Sequence, residues 1–355
     1  MSAQDEDTTG RARGRGARVT LAQVAVRAGV SRSTASLVLR NSELVAPRTR
    51  QAVQDAMAAL GYVYHRGAAS LRVRQSGSIA VVVTDLANPF HAELTDGVEA
   101  ALRPSGGITL LARTFGDVRR QTTVLTTMLE YQTDGVLLVP ATGTQEDDLT
   151  VLTDRGIPLV LMTRYIGKPG LNYVGVQETE AGHAGATHLL DHGCAAMAYF
   201  GGPEKATARR DRFSGFRSAL AGSTASVLER WSIPTPNTAL GSYEVAARLL
   251  AAGLPLPDGV LAHSDAVAFG LMRALRETGR RPPQDMRIVG GADIEAAAMW
   301  EPPLTTISVH AADMGRKAAD LLRRIIDGNP ADGPHLYPPA LMIRESCGCG
   351  PQHRR

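Results

Sequence analysis

Arg32, Ser33, Thr34, Ser36 and Arg40 place five hydrogen-bonding side chains within one short stretch, SRSTASLVLR. An arginine fork can bond bidentately to guanine in a major groove, and hydroxyls suit phosphate oxygens. Such side chains need a rigid element to present them, and the preceding stretch, VTLAQVAVRAGV, supplies one. Thr20 can cap a first helix, with Gln23 completing a capping box three residues on. Leu21, Val24, Ala25 and Ala28 recur at helical spacing and face one small core. Gly29 permits the positive φ of a tight helix exit. Ser31 then caps a second helix that turns Ala35, Val38 and Leu39 inward and Arg32, Ser33, Ser36 and Arg40 outward. The pattern is a helix-turn-helix, whose second helix enters a DNA major groove; the alternative is an ordinary helical hairpin with a polar face. Arg32 and Ser33, at the start of that helix, are placed for base edges. Thr20, Thr34, Ser36, Arg40 and Tyr62 are placed for phosphates, which set register rather than sequence.

A third helix completes the module. Pro47 suits its first turn, Val53, Ala56, Met57 and Leu60 form its buried stripe, and Gly61 ends it. Charge follows the same division. Of the 38 basic and 35 acidic residues, residues 1–74 hold 12 and 5, and the remainder holds 26 and 30. A basic head on a mildly acidic body fits a nucleic-acid module joined to a separate sensing domain, although a merely solvated basic surface would give the same count. The Gly- and Arg-rich residues 1–18 are expected to be a disordered tail, either attracting phosphates or without a role.

From Ile79 the pattern changes. Apolar runs of buried-strand type (IAVVV, ITLLA, GVLLV, PLVLM, AMAYFGG, GVLAHS, RIVGGAD) alternate with helical segments, and ALMIRE closes the series. A helix is expected around 145–154 and another near 312–326. Continuous apolar strands alternating with helices indicate parallel sheets covered on both faces, with too many strands for one sheet. Ligands in such sheets bind beyond the strand C-termini.

Three cysteines, Cys194, Cys347 and Cys349, make no disulfide framework, and Cys347-Gly348-Cys349 has no second Cys/His pair at metal spacing. Free thiols, no metal and no cofactor are expected. The sequence opens with acidic and polar residues and has no long apolar stretch, so neither a signal peptide nor a membrane span is expected, and the location should be cytoplasmic.

Taken in order, VTLAQVAVRAGVSRSTAS, AALGY, RGAASLR, IAVVVTDLANPFHAEL, RDRFSGFRSAL, LAHSDAVAFGLMRAL, IVGGADIE, EPPLTTI and LMIRES resemble the LacI/GalR family of bacterial transcription regulators, from about Val19 to about Cys347. The resemblance implies an α/β protein. A three-helix helix-turn-helix domain (19–64) and a hinge helix or linker (65–76) precede an effector-binding and dimerisation domain (77–346). That domain comprises two Rossmann-like parallel-sheet subdomains of periplasmic-binding-protein type, about 77–175 plus 308–328 and 176–307 plus 329–346, before a tail at 347–355. It further implies a homodimer on double-stranded operator DNA, with no enzymatic activity, whose DNA affinity follows a small-molecule effector in the cleft between subdomains.

In the hinge-like segment, Leu71 matches a leucine that wedges into the minor groove, and His65, Ala68 and Arg72 would flank it on DNA. Its alternative is a linker residue packed on the core. Leu37 stands where the family often has a base-reading arginine, which shifts the reading of bases toward Arg32. On the ligand side, Phe90 either stacks on the effector or caps the sheet, and Arg212 either bonds effector oxygens or lies on a solvated helix face. Ser264 and Asp265 occupy the place of an Asn-Asp pair, with Asp265 expected to cap the next helix. Ala292 replaces a ligand-binding aspartate, next to Asp293, which is either a ligand contact or structural, and Thr163 replaces a cleft aspartate, followed by Arg164. Trp300 is either a cleft wall or core. These replacements make the cleft less acidic than a sugar-hydroxyl site. They also leave open a degenerate cleft or a protein corepressor. A solute-binding protein or sugar-processing enzyme is disfavoured by the DNA-binding head and the lack of a catalytic constellation.

Overall fold

The computed structural model of the chain describes residues 19–39, 42–63, 76–167, 169–170 and 172–350. Arg40, His65, Ala68, Leu71 and Arg72, and the tail at 1–18, lie outside the described residues. The described residues fall into two compact units, one on either side of residues 64–75.

The first unit is three helices, α1 (Leu21–Arg27), α2 (Arg32–Leu39) and α3 (Pro47–Leu60). Val24, Ala25, Ala35, Val38, Val45, Val53 and Ala56 form its core. These are small side chains, as a core of three short helices requires. Leu37 packs against this cluster, whereas Leu39, expected inward, is not part of it.

The second unit holds two six-stranded sheets. The first contains β1 (Ser78–Val83), β2 (Ile108–Arg113), β3 (Gly135–Leu138), β4 (Leu159–Met162), β5 (Tyr173–Val176) and β11 (His335–Tyr337), in the order β11-β5-β4-β3-β1-β2, all parallel. The second contains β6 (Ala196–Phe200), β7 (Ser226–Val227), β8 (Gly259–Ala262), β9 (Arg287–Ala292), β10 (Thr305–Ser308) and β12 (Ala340–Met342), in the order β12-β10-β9-β8-β6-β7, with only β12 antiparallel. The helices are α4 (Pro89–Leu102), α5 (Val118–Glu130), α6 (Thr150–Thr153), α7 (Glu178–Asp191), α8 (Thr207–Leu220), α9 (Ala239–Ala251), α10 (Asp265–Glu277), α11 (Glu295–Met299) and α12 (Ala311–Ile326).

The chain passes between the sheets three times: after β5, after β10 and after β11. Three sequence expectations are corrected here. Residues 329–346 do not all belong with the second sheet. The packing of α12 on α4 returns the chain to the first sheet, where β11 pairs with β5 before the last crossing. Residues from 347 are not simply a tail, because Cys347 is fully buried and its Sγ accepts a hydrogen bond from Thr305. The helix expected at 145–154 is a 3-10 turn, Glu146–Leu149, running into the single turn of α6.

Glycines set how closely the helices cross. A Cβ on Gly182 of α7 would lie 1.8 Å from the Arg212 carbonyl oxygen, and one on Gly215 of α8 would lie 1.8 Å from that of Thr179. Gly97 of α4 and Gly315 of α12 mirror this in the first subdomain, with Cβ positions 2.0 Å from the Ala312 and Leu94 carbonyl oxygens. Such contacts are backbone against backbone, so no rotamer change relieves an added methyl group. Replacing Gly215 with Ala should destabilise the second unit by about 3 kcal/mol. Denaturant unfolding followed by circular dichroism measures this, and a midpoint equal to that of the parent would refute the close crossing.

Candidate functional site

In the helical unit, the Thr20 hydroxyl accepts from Gln23 N at 3.4 Å, and Gln23 Oε1 accepts from Thr20 N at 2.8 Å, which closes the capping box. Gly29 sits at φ +65°. Ser31 Oγ accepts from Thr34 N at 3.0 Å and lies 2.7 and 2.8 Å from the hydroxyls of Ser33 and Thr34. Arg32, Ser33 and Thr20 are exposed, and Thr34, Ser36 and Tyr62 are half-buried. Arg32 thus stands at the exposed start of a capped helix. Ser33 and Thr34 share their hydroxyls with the cap, which fixes them before any partner arrives.

In the second unit, the C-terminal ends of both sheets face a cleft. A chamber of about 70 Å³ is lined by Asn88, Phe90, His91, Thr163, Arg164, Val176, Glu178, Ala208, Arg212, Asn237, His263, Ser264, Gly291, Ala292, Val309 and Met314. A second chamber of about 200 Å³ shares Arg164 and adds Thr142, Gln145, Tyr165, Lys205 and Arg210. Phe90 packs against the cores of both subdomains.

Arg212 anchors the cleft. Its Nε and Nη2 donate to Glu178 Oε2 at 2.7 and 2.5 Å, and its Nη1 donates to the His263 carbonyl at 2.6 Å. Gly291 makes room for it, since a Cβ there would lie 2.8 Å from Arg212 Nη1. Burial pushes the Glu178 carboxyl up, and the guanidinium opposes that. Arg164 has no such partner among the described residues, donating only to the Pro140 carbonyl at 3.2 Å and Thr142 Oγ1 at 3.4 Å. Desolvation lowers it to about 10, so it is still a cation at neutral pH.

Both cleft histidines are held neutral. Burial, with Arg212 and Arg164 nearby, takes His263 well below its ordinary value, and its Nδ1 bonds the Tyr199 hydroxyl at 2.7 Å. Burial, then Arg164, lowers His91 to about 4; its Nε2 bonds Thr84 Oγ1 at 3.2 Å, while its buried Nδ1 has no partner.

The cleft carries backbone strain at two strand ends. Thr163, a β-branched residue, sits at φ +60° after β4, and Ala292 and Asp293 sit at +128° and +61° at the end of β9. Over the cleft mouth, Tyr165 donates to Asp211 Oδ2, and Arg210 bonds both the Tyr165 hydroxyl, at 2.7 Å, and Asp211 Oδ1, at 2.9 Å. Tyr165 follows β4 of the first sheet, while Arg210 and Asp211 lie on α8 of the second subdomain, so this triad ties the subdomains together.

Of the ligand-side residues expected from sequence, Phe90, Arg164, Arg212 and Ser264 line the cleft, and three do not. Asp265 is buried, with its carboxylate occupied by Ile294 N at 2.9 Å and Thr306 Oγ1 at 2.5 Å. Nor does it cap α10: the cap is Ser264, whose Oγ accepts from Val267 N and donates to Asn237 Oδ1 at 2.6 Å. Asp293 pairs with Arg344 at 2.7 Å. Trp300 stacks on Phe269, with centroids 4.2 Å apart, and lines a separate groove.

Comparison with known proteins fits this architecture. A model described as bacterial regulatory proteins, lacI family, matches residues 20–64, and one described as a periplasmic binding protein-like domain matches residues 186–347. The chain is 34% identical over 339 residues to the HTH-type transcriptional regulator CelR of Thermobifida fusca, covering 93% of this chain and 98% of that protein.

The chain belongs to the LacI family of bacterial regulatory proteins.

As a LacI-family protein it is a DNA-binding transcription regulator. It is also 36% identical to the HTH-type transcriptional regulator GntR of Pseudomonas aeruginosa, over 98% of this chain and all of that one. Among solved structures, a CelR–cellobiose complex matches 93% of this chain and 100% of its own with a TM-score of 0.68 and 32% identity. A lac repressor dimer bound to operator and the anti-inducer ONPF matches 93% of this chain and 99% of its own, with a TM-score of 0.81 and 25% identity. No helix among the described residues is long and apolar enough to cross a membrane.

Sequence reasoning missed Glu178, Asn237, His91 and His263. His263 directly follows β8 and Glu178 lies two residues beyond β5, near strand ends that mark cleft residues in such sheets, and His91 lies one turn beyond Asn88-Pro89. Asn237 lies in a loop and carries no such signal.

The neutral state of His91 has a pH consequence. Its folded value of about 4 lies below 6.5, so between these values the unfolded chain binds more protons and His91 costs stability as pH falls. Asp265, pushed up to about 6 by burial, acts in the opposite sense over a similar range, so the histidine must be isolated by comparison. On going from pH 7 to pH 5, the parent should lose about 2 kcal/mol more than the His91→Gln variant. Parallel denaturant titrations at the two pH values check this, and equal losses would count against a neutral, buried His91.

Proposed function

We propose that this chain acts as a homodimeric repressor on a palindromic operator, with a hydroxylated small molecule in the cleft setting its DNA affinity. The observation that carries the reading is the Tyr165–Asp211–Arg210 triad, which ties the subdomains together beside a chamber of about 200 Å³ that shares Arg164 with one of about 70 Å³. Ligand sites ordinarily occupy about 300 Å³ or more. A metabolite therefore needs the subdomains to part, so occupancy and the closed triad oppose each other, and binding shifts the balance between two subdomain arrangements. DNA affinity follows through the segment at 65–76, where Leu71 is the minor-groove wedge and His65, Ala68 and Arg72 flank it.

The chemistry of the cleft narrows the ligand. Its one buried carboxylate, Glu178, is taken by Arg212 and the Asn237 oxygen by Ser264, so sugar hydroxyls meet few free acceptors beyond His91 Nδ1. Arg164 is a cation with no carboxylate partner among the described residues, and it favours a ligand with an anionic group, such as a sugar acid. The solved CelR relative is a cellobiose complex, which supports a carbohydrate-derived ligand. A second copy has an apolar surface to cover in the first subdomain, where Ile108, Leu111, Phe115 and Tyr131 are exposed. The small chamber also favours a second reading, in which the cleft has lost its ligand and a protein corepressor takes over.

Two measurements test the proposal. In selected-site binding and footprinting, the parent should protect an inverted repeat. Arg32→Ala should relax preference at one position per half-site, by about 1–3 kcal/mol of discrimination. An unchanged motif would remove Arg32 from base reading, and no protected repeat at moderate salt would overturn the operator. In calorimetry against aldoses paired with their aldonic acids, binding should favour the acid and weaken at least tenfold in Arg164→Gln. Equal affinity for both members of a pair would refute the anionic group, and no binding by any small metabolite would favour the corepressor.

A further inference from the structure

The fold brings together four side chains that the regulatory reading does not use. His188 lies in the last turn of α7 and His192, one turn on, caps its C-terminal end; Cys347 and Cys349 follow β12, the latter 157 residues beyond His192. One ligating atom from each lies within 4.8 Å of all the others. His192 Nε2 is 3.1 Å from Cys349 Sγ. His188 Nε2 is buried and meets no geometric hydrogen-bond partner among the described residues. The fold thus sets a histidine pair, at the C-terminal end of α7, beside the two cysteines, which no local spacing in the sequence indicates.

We propose that His188, His192, Cys347 and Cys349 bind one zinc-class divalent cation. Two imidazoles and two thiolates are the ligand set of a closed tetrahedral structural zinc site, with no position left for substrate. On binding, each thiol releases its proton to solvent and both histidines coordinate as neutral imidazoles, so the centre carries no net charge. The surroundings suit a coordinated thiolate: Thr305 Oγ1 donates to Cys347 Sγ at 3.0 Å and is itself oriented by Arg344 N at 2.8 Å. The cation would staple the segment after β12 onto α7, whose first residue is the Glu178 that holds Arg212.

The test uses the full chain without an affinity tag, expressed in zinc-supplemented medium and kept reduced. Elemental analysis after gel filtration should find one zinc per chain, and the melting temperature should fall by several degrees on chelation and recover on adding zinc. Cobalt(II) should give a thiolate charge-transfer band and the visible bands of a tetrahedral site. Cys349→Ser and His192→Ala, at half-buried positions, should lose the zinc and the tetrahedral spectrum. Should either variant fail to fold, the cobalt spectrum of the parent decides alone. Sub-stoichiometric zinc with no cobalt–thiolate band would overturn the proposal, as would zinc retained equally by both variants. A chain lighter by two hydrogens, with Cys347 joined to Cys349, that takes up no metal after reduction would also overturn it.

Discussion

The ion pair between Glu178 and Arg212 is the constraint around which the cleft is arranged. Both side chains are less than a tenth exposed, where desolvation is expensive and an unpaired charge would be worse. The pair persists because its geometry is saturated. One guanidinium reaches a carboxylate on α7 and a carbonyl at the end of β8 from its own place on α8. That geometry exists only because Gly182 and Gly215 let the two helices touch backbone to backbone and Gly291 keeps β9 bare beside the guanidinium. Three glycines thus place one arginine, and that arginine joins three of the elements that line the ligand chamber.

Neutralising Arg212 in this way shapes what remains. With Glu178 occupied and both histidines neutral, the local field is set by Arg164 and, at the mouth, by Lys205 and the paired Arg210. Strain is concentrated at the same strand ends, at Thr163 beside Arg164 and at Ala292 beside Gly291. Residues in left-handed backbone cost energy that neighbouring packing must offset, and they cluster where a site needs a fixed shape. The cleft is therefore stiff at its base, with its adjustable contacts, Tyr165 to Asp211 and Arg210, at the rim.

Much of this was legible in the sequence, and the misses have identifiable causes. The three-helix head was readable because its signals are local: the Thr20–Gln23 box, the Gly29 turn, the Ser31 cap and Pro47 all act within four residues. The apolar strand runs were readable for the same reason. The strand Thr305–Ser308 escaped notice because TTIS is short and half hydroxyl, and its burial comes from pairing with β9 and β12 rather than from composition. Asp265 and Asp293 were counted on the ligand side because the family resemblance places ligand contacts at or beside those positions. Which of two adjacent residues turns into a cleft depends on a local φ, and here Asp293 turns to Arg344 while Asp265 turns to Thr306 and Ile294. Leu37, at the position where the family often has a base-reading arginine, packs against the core of the head.

The His188–His192–Cys347–Cys349 cluster was the least legible part, since no local pattern links its halves, and its location gives α7 two duties. Fourteen residues of helix span about 20 Å, with Glu178 at one end and, at the other, His188 in the last turn and His192 as the C-cap. Gly182, between them, fixes where α8 crosses. A helix is stiff over that length, so whatever orders its C-terminal end also orders the end that carries the buried carboxylate. Order in the final segment of the chain and the geometry of the ligand cleft therefore share one support. The close packing of α8 is what keeps that support from shifting, because sliding α7 by even one residue would drive Gly182 and Gly215 out of register and put a side chain where only hydrogen fits.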